Sequence, residues 1–223
     1  MPSNADDALA GTVVSDTVSS TALRENRRAT VYVPPGHDAG AALPVVYGTD
    51  GRGAAAYIRR IDAGIVAGAV PPFVLVAAHA APLSAYGNER VLEYLPGFDD
   101  NRFERHQRFF VDELAQWAQE RFGVSSEREQ RAVFGCSDGG GHALATGSLH
   151  RDRFGHVIAF STGMPPDAQL RWDAAEAPFV HLCAGTLEGA FHQATQAWAA
   201  WLHFAESPHH WTERVCGHDL IQW

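Results

Sequence analysis

Short apolar segments recur along the chain, and their lengths and spacing predict the strands of a β-sheet. Five of them are largely apolar, a pattern typical of strands that are buried on both faces. Those five are 43–51, 71–80, 130–136, 154–161 and 178–185. Segment 209–216 predicts one further strand. Two earlier segments, 11–18 and 28–34, alternate between apolar and polar residues and predict strands with one face in solvent.

Between these strands lie segments whose apolar residues recur with the period of a helix. They are 54–68, 105–123, 138–149 and 190–206. Buried strands that alternate with helices predict an α/β fold, in which a mostly parallel sheet is covered on both faces. The 223 residues contain no internal repeat and no linker. We therefore expect a flexible lead over 1–10 and a single domain over 11–223.

The two longest connections, 80–102 and 162–177, are predicted to be irregular and to line a ligand pocket. Long connections in a compact domain are usually functional or disordered. The first one carries Tyr86, Arg90, Glu93 and Tyr94. One interpretation makes these four side chains substrate-binding residues. The alternative is that Arg90, Glu93 and Tyr94 form a structural ion pair and a packing contact under the loop, and the sequence does not choose between the two.

Composition narrows the classes of partner. Seventeen basic residues, all arginine, stand against 26 acidic ones, which gives a formal net charge of −9. Such a surface argues against nucleic acid or an anionic membrane as the main partner. Three cysteines without a CxxC pair predict reduced thiols and a cytoplasmic location. The first residues lack the features of a signal peptide, and no run of 18 apolar residues predicts a membrane span.

The strongest chemical signal is the stretch Gly-Cys-Ser-Asp-Gly at 135–139, which lies between a predicted strand and a predicted helix. It fits the G-x-S-x-G pattern, in which a serine nucleophile sits on a tight strand-to-helix turn. Glycines two residues to either side remove side chains that would collide there. Ser137 has this spacing and Cys136 does not, so Ser137 is the predicted nucleophile. The competing interpretation is a glycine-rich phosphate loop or a plain turn.

A serine hydroxyl is a weak nucleophile and needs a base. In proteins with this motif the chain order is nucleophile, acid, histidine. Among twelve histidines, His218 follows the last predicted strand beside a glycine, whereas most of the others fall inside regular elements. The first carboxylate after strand 178–185 is Glu188, the predicted acid; the alternative for Glu188 is a helix N-terminal acid. Asp219 is a poorer candidate because adjacent side chains point apart.

The predicted oxyanion hole consists of two backbone donors. One is the N–H of Asp138, the residue after the nucleophile, and the other is the N–H of Gly51 or Arg52 in the turn after strand 43–51. No HxH or HExxH spacing is present, so we expect neither a metal nor another cofactor.

These motifs together resemble a known family. The segments that carry the resemblance are VYVPPGHD, LPVVYGTDG, RVLEYLPG, RAVFGCSDGGGHALATGSLHRDRFGHVIAFSTG, CAGTLE and GHDLIQW. In this order they are similar to the "putative esterase" family of α/β-hydrolases, which holds enterochelin esterases, esterase D, feruloyl esterases and the mycolyltransferases of the antigen 85 group. The resemblance runs from about residue 27 to the end and is strongest for the enterochelin-esterase-like branch.

The resemblance implies an α/β-hydrolase fold, with a mostly parallel sheet of about eight strands flanked by helices. It also implies a catalytic triad on Ser137, Glu188 and His218. Asp138 departs from the family, which more usually has a neutral residue there, so its charge must turn away or pair, and Arg52 is the expected partner. The expected function is a serine carboxylesterase that acts on a small-molecule ester. An acyltransferase and a binding protein on the same fold are the alternatives, and a homodimer is left open.

Overall fold

Eight strands of the computed structural model join in one sheet, within the described residues 8–82, 88–167, 170, 172 and 175–219. The strands are β1 (Thr12–Ser20), β2 (Glu25–Val33), β3 (Val45–Gly48), β4 (Val74–Ala78), β5 (Arg131–Cys136), β6 (His156–Phe160), β7 (Phe179–Gly185) and β8 (His209–Arg214). Their order in the sheet is β1-β2-β4-β3-β5-β6-β7-β8. β1 pairs with β2, and β2 with β4, in antiparallel fashion, whereas all other neighbours are parallel. The predicted mostly parallel sheet is confirmed.

Six α-helices lie within the described ranges. They are α1 (Ala55–Val66), α2 (Glu89–Tyr94), α3 (Asp100–Arg108), α4 (Leu114–Phe122), α5 (Asp138–Leu149) and α6 (Ala190–Phe204). A π-helical turn, Phe109–Glu113, joins α3 to α4, so the helix predicted over 105–123 is one continuous helical segment with a π-helical turn within it. It begins earlier than predicted because the Asp99 side chain accepts a hydrogen bond from the Arg102 N–H and caps α3.

The prediction that 80–102 is irregular is wrong for its second half. α2 occupies 89–94 and α3 begins at residue 100. A helix of six residues spans fewer than two turns, too few for a helical period to stand out in the sequence. α2 packs against α3 and α5, so it belongs to the body of the domain rather than to a loose loop.

Alternation along the strands divides the core between the two faces of the sheet. Tyr47 and Val76 contribute to a large cluster with residues of α3, α4, α5 and α6. Leu75 points to the opposite face, where it packs with Ile58 of α1 in a smaller cluster. On the α1 face of β6, the residues His156, Ile158 and Phe160 are only half-buried.

The N-terminal residues in the described part are held in place. The N–H groups of Ala10 and Gly11 donate to the Asp62 carboxylate at 3.0 and 2.8 Å, and the Tyr32 hydroxyl donates to it at 2.9 Å. The lead predicted over 1–10 is thus tied to α1 at residue 10, while residues 1–7 lie outside the described part. Among the described helices, none is long and apolar enough to cross a membrane.

Candidate active site

Ser137 occupies the single position between β5 and α5. Its backbone has φ 60° and ψ −126°, a conformation that costs a non-glycine residue energy and persists only where its surroundings enforce it. The Ser137 N–H donates to the carbonyl oxygen of Phe160 on β6 at 2.9 Å. The strand–turn–helix context that the motif requires is therefore present.

The flanking glycines are required by close contacts. A Cβ on Gly135 would lie 2.0 Å from the carbonyl oxygen of Gly139, and a Cβ on Gly139 would lie 2.3 Å from the Thr49 hydroxyl oxygen. Real Cβ atoms essentially never approach another heavy atom so closely. The steric reason inferred for the glycine spacing thus holds in the folded chain.

A pocket of about 320 Å³ opens beside Ser137. Its walls include Asp50, Tyr57, Arg90, Phe134 and Cys136. The Tyr57 and Phe134 rings meet edge to face, with their centroids 5.4 Å apart. Burial raises the pKa of the Cys136 thiol well above its usual value, with the nearby Asp50 charge adding to the effect. A thiol that stays protonated is a poor nucleophile, so burial disfavours a reaction at Cys136.

His218 and Glu188 are neighbours in space. His218 Nδ1 lies 3.1 Å from Glu188 Oε2, and the Glu188 side chain is fully buried. The other Glu188 oxygen accepts hydrogen bonds from the Ser161 hydroxyl at 2.8 Å and the Gly185 N–H at 2.9 Å. The His218 ring stacks on Phe191, with centroids 4.0 Å apart. The carboxylate is fixed by three partners and presents one oxygen to the imidazole.

The two predicted oxyanion segments follow neighbouring strands. β3 and β5 are parallel and adjacent, with Gly48 opposite Phe134, so the turns after them lie side by side. Asp138 is the first residue of α5, where helical N–H groups have no intrahelical acceptor. Gly51 begins a short 3₁₀ turn after β3, is buried, and would place a Cβ 2.1 Å from the carbonyl oxygen of Ala77.

The partner of Asp138 differs from the prediction. Arg90 Nη1, not Arg52, pairs with Asp138 Oδ2. The same guanidinium holds Asp50 with two hydrogen bonds, from Nε at 2.7 Å and from Nη2 at 2.8 Å. Burial alone would lower the pKa of Arg90, but the hydrogen bonds and charge of Asp50, with the charge of Asp138, raise it. Arg52 was the expected partner because it lies in the turn predicted to form the other half of the oxyanion hole, whereas Arg90 reaches the pocket from α2.

Of the other residues predicted to bind substrate, Glu93 and Tyr94 lie beneath the pocket. Both are 1% exposed. Glu93 accepts two hydrogen bonds from Arg27 on β2, at 2.9 and 2.8 Å. Tyr94 accepts a hydrogen bond from the Asp50 N–H at 3.2 Å. Tyr86 lies outside the described residues.

Some contributors to this site were not anticipated. Asp50, Ser161 and Phe191 touch the predicted site residues, yet none of them was predicted to have a role, although Asp50 and Ser161 fall within segments that carry the family resemblance. Asp50 lies two residues after the end of β3, in the left-handed region at φ 56°. An acid in a turn that opens with Thr-Asp-Gly is the only signal for it that the sequence offers. Among the described residues, no three His, Cys, Asp or Glu side chains are grouped so as to hold a metal ion.

Comparison with protein families gives a match over residues 20–218 to the family described as "Putative esterase". The chain belongs to this family. The family predicted from the motifs is confirmed, and the chain is a carboxylic ester hydrolase.

Solved structures support the fold. A ferulic acid esterase superposes with a TM-score of 0.77 at 21% identity, covering 97% of this chain and 94% of its own. A ferulic acid esterase from Anaeromyces mucronatus, with ferulic acid bound, gives 0.75 at 17% identity and covers 99% and 90%. The enterobactin esterase of Shigella flexneri gives 0.75 at 24% identity, covering 95% of this chain but 56% of its own. These likenesses confirm the α/β-hydrolase type of fold.

Proposed function

We propose that the chain is a serine carboxylesterase that forms an acyl-enzyme on Ser137, with His218 as the base and Glu188 as its orienting acid. The observation that carries the proposal is the His218–Glu188 contact of 3.1 Å on a carboxylate that is fully buried and fixed by Ser161 and Gly185. A buried carboxylate beside an imidazole holds it in one tautomer and stabilises the imidazolium that forms during the reaction.

The proposed mechanism follows from this tautomer. In this tautomer the His218 Nδ1–H donates a hydrogen bond to Glu188 and keeps its proton, and the lone pair of Nε2 accepts the Ser137 proton. Ser137 Oγ attacks the ester carbonyl carbon, and the tetrahedral intermediate collapses as His218 returns the proton to the leaving alkoxide. Water then attacks the carbonyl carbon of the acyl-enzyme and gives a proton to His218. His218 passes that proton to Ser137 Oγ as the bond from the acyl carbon to Oγ breaks, which releases the carboxylic acid.

The oxyanion of both intermediates is proposed to accept hydrogen bonds from the Asp138 N–H and from the Gly51 or Arg52 N–H. The proposal is supported by the adjacency of the two turns and by the close packing of the Gly51 backbone against Ala77 of β4. A single oxyanion donor of this kind is worth roughly 2.7–4 kcal/mol of barrier.

We propose an ester with an aromatic group as the substrate class. The Tyr57 and Phe134 rings in the wall of the Ser137 pocket support this choice, since aromatic rings pack favourably on one another in offset-stacked or edge-to-face contact. The structural neighbours named for ferulic acid support it as well. Acyl transfer to an alcohol uses the same acyl-enzyme, and added alcohol acceptors in the assay separate it from hydrolysis.

The test is turnover of p-nitrophenyl acetate and butyrate, together with labelling by a fluorophosphonate. Ser137→Ala is expected to lose at least about 10⁴-fold in kcat and all labelling. Cys136→Ala is the matched control and is expected to stay within a few-fold of the wild type. Turnover that survives Ser137→Ala would refute the assignment, and a wild type that neither turns over nor labels would favour a binding protein.

A second pair of variants tests the acid. Glu188→Gln is expected to lower kcat by about 10²- to 10⁴-fold, because the imidazolium loses its counter-charge. Glu213→Gln is the control, since Glu213 contacts His192 at 2.6 Å at an exposed position away from Ser137. Equal activity of the two variants would point to another acid.

The cytoplasm is the proposed location. The three cysteines, Cys136, Cys183 and Cys216, are all free thiols, as expected in a reducing compartment. Fractionation of cells that express the chain tests this proposal, and recovery outside the cytoplasmic fraction would contradict it.

A further inference from the structure

Two carboxylates stand at the proposed oxyanion hole. Asp138 supplies one of the two backbone donors, and Asp50 directly precedes the segment that supplies the other. A negative side chain at either place opposes the charge that develops on the ester oxygen, because like charges at close range in a partly buried site repel strongly. The site therefore needs a positively charged group that offsets these two negative charges.

Arg90 touches both carboxylates. Its guanidinium makes two parallel hydrogen bonds to Asp50 at 2.7 and 2.8 Å, the geometry in which arginine binds a carboxylate most specifically. Its remaining terminal nitrogen pairs with Asp138. The Arg90 side chain is 22% exposed, so water weakens these pairs less than it weakens surface pairs. One side chain thus links the turn after β3 to the start of α5.

Arg90 is itself held from below. Its guanidinium lies over the Tyr94 ring at 4.9 Å from the centroid. Three residues along α2, Glu93 is clamped by Arg27. Because α2 is anchored at its C-terminal end, the guanidinium is presented in one orientation. Such a fixed arrangement costs little reorganisation when charge develops in the transition state.

We propose that Arg90 is a positioning residue that neutralises Asp138 and Asp50 and aligns the two halves of the oxyanion hole. This inference rests on the proposed function. It differs from a substrate-binding role for Arg90, because the partners of the guanidinium are the protein's own carboxylates. In this role Arg90 acts in the transition state, so its loss affects kcat and leaves KM for a neutral ester nearly unchanged.

The experiment compares Arg90→Gln, Arg90→Lys and the double variant Arg90→Gln/Asp138→Asn with p-nitrophenyl butyrate, a neutral ester. Arg90→Gln is expected to lower kcat by about 10- to 100-fold, as expected for an uncompensated charge near the oxyanion. Arg90→Lys keeps the charge but loses the two-pronged contact and should fall between the wild type and Arg90→Gln. The double variant should recover at least about tenfold over Arg90→Gln, because the Asp138 charge is gone as well and only that of Asp50 remains uncompensated. Arg108→Gln, at an exposed position on α3, is the control for loss of a positive charge.

Three outcomes would overturn the inference. They are a kcat unchanged in Arg90→Gln, a double variant no better than Arg90→Gln, and a rise in KM at constant kcat, which would make Arg90 a substrate-binding residue. Thermal melting of each variant shows whether it folds, and Arg90→Lys carries the test if Arg90→Gln does not. A wild type without turnover or labelling would refute the proposed function itself, whereas an active wild type with a dead Ser137→Ala leaves only the role of Arg90 at issue.

Discussion

Two buried histidines behind the proposed nucleophile predict how the fold responds to acid. His142 on α5 is 0% exposed, and its Nε2 lies 3.2 Å from His106 Nδ1 on α3. Burial, with smaller contributions from the His150 and Arg90 charges, lowers the pKa of His142 from 6.5 to about 3. Burial likewise lowers the pKa of His106 well below 6.5. Both imidazoles are therefore neutral in the folded chain at neutral pH.

The sign of the effect follows from linkage. Below pH 6.5 the unfolded chain binds a proton at residue 142 that the folded chain rejects, so stability falls as pH drops from 6.5 toward 3. Each unit in this window costs about 1.4 kcal/mol per histidine, so His142 alone removes about 2 kcal/mol of the free energy of unfolding by pH 5. Carboxylates with lowered pKa, such as Asp62, lose their contribution at lower pH.

Urea unfolding at pH 7 and pH 5 measures this loss. In His142→Gln the fall in unfolding free energy between the two pH values should be smaller than in the wild type by about 2 kcal/mol. If the substitution destabilises the variant equally at pH 7 and pH 5, that loss cancels when the two unfolding free energies are subtracted. His203→Gln, at an exposed position on α6, is the control and should behave as the wild type does. An equal fall in His142→Gln and the wild type would refute the reasoning.

Two further predictions concern packing and buried charge. Gly135→Ala should lower kcat/KM by at least about 10²-fold and reduce the melting temperature, because its Cβ would lie 2.0 Å from a carbonyl oxygen. Gly40→Ala is the control and should change neither, because the nearest contact of its Cβ would be an ordinary 3.6 Å. An active Gly135→Ala would contradict the steric argument. Glu93→Gln should cost about 3–5 kcal/mol in urea unfolding, because it leaves the buried Arg27 without its main partner. Glu129→Gln, in a surface pair whose glutamate is 72% exposed, should cost less than about 1 kcal/mol, and a similar cost for both would refute the burial argument.

The sequence was most informative where the physics is local. The spacing of Gly135 and Gly139 around Ser137 follows from contacts within one turn, and the end of α4 at Gly123, with φ 61°, follows from the left-handed conformation that glycine allows. These features need no knowledge of distant residues, and both were predicted.

Non-local pairing was the part that could not be predicted. The pair of Arg90 with Asp138 joins residues 48 positions apart, and that of Arg27 with Glu93 spans 66 positions. Nothing in a single sequence favours these partners over others of the same charge. Arg52 was predicted to pair with Asp138 only because both were placed at the oxyanion hole. Such pairs are decided by how α2 packs in the finished domain.

The anchoring of α2 has a consequence for how the chain can change. Arg27 on β2 holds Glu93, and Asp50 in the turn after β3 holds Tyr94. Both contacts belong to the C-terminal end of α2, so changes to the chain before α2 are expected to leave Arg90 in its place.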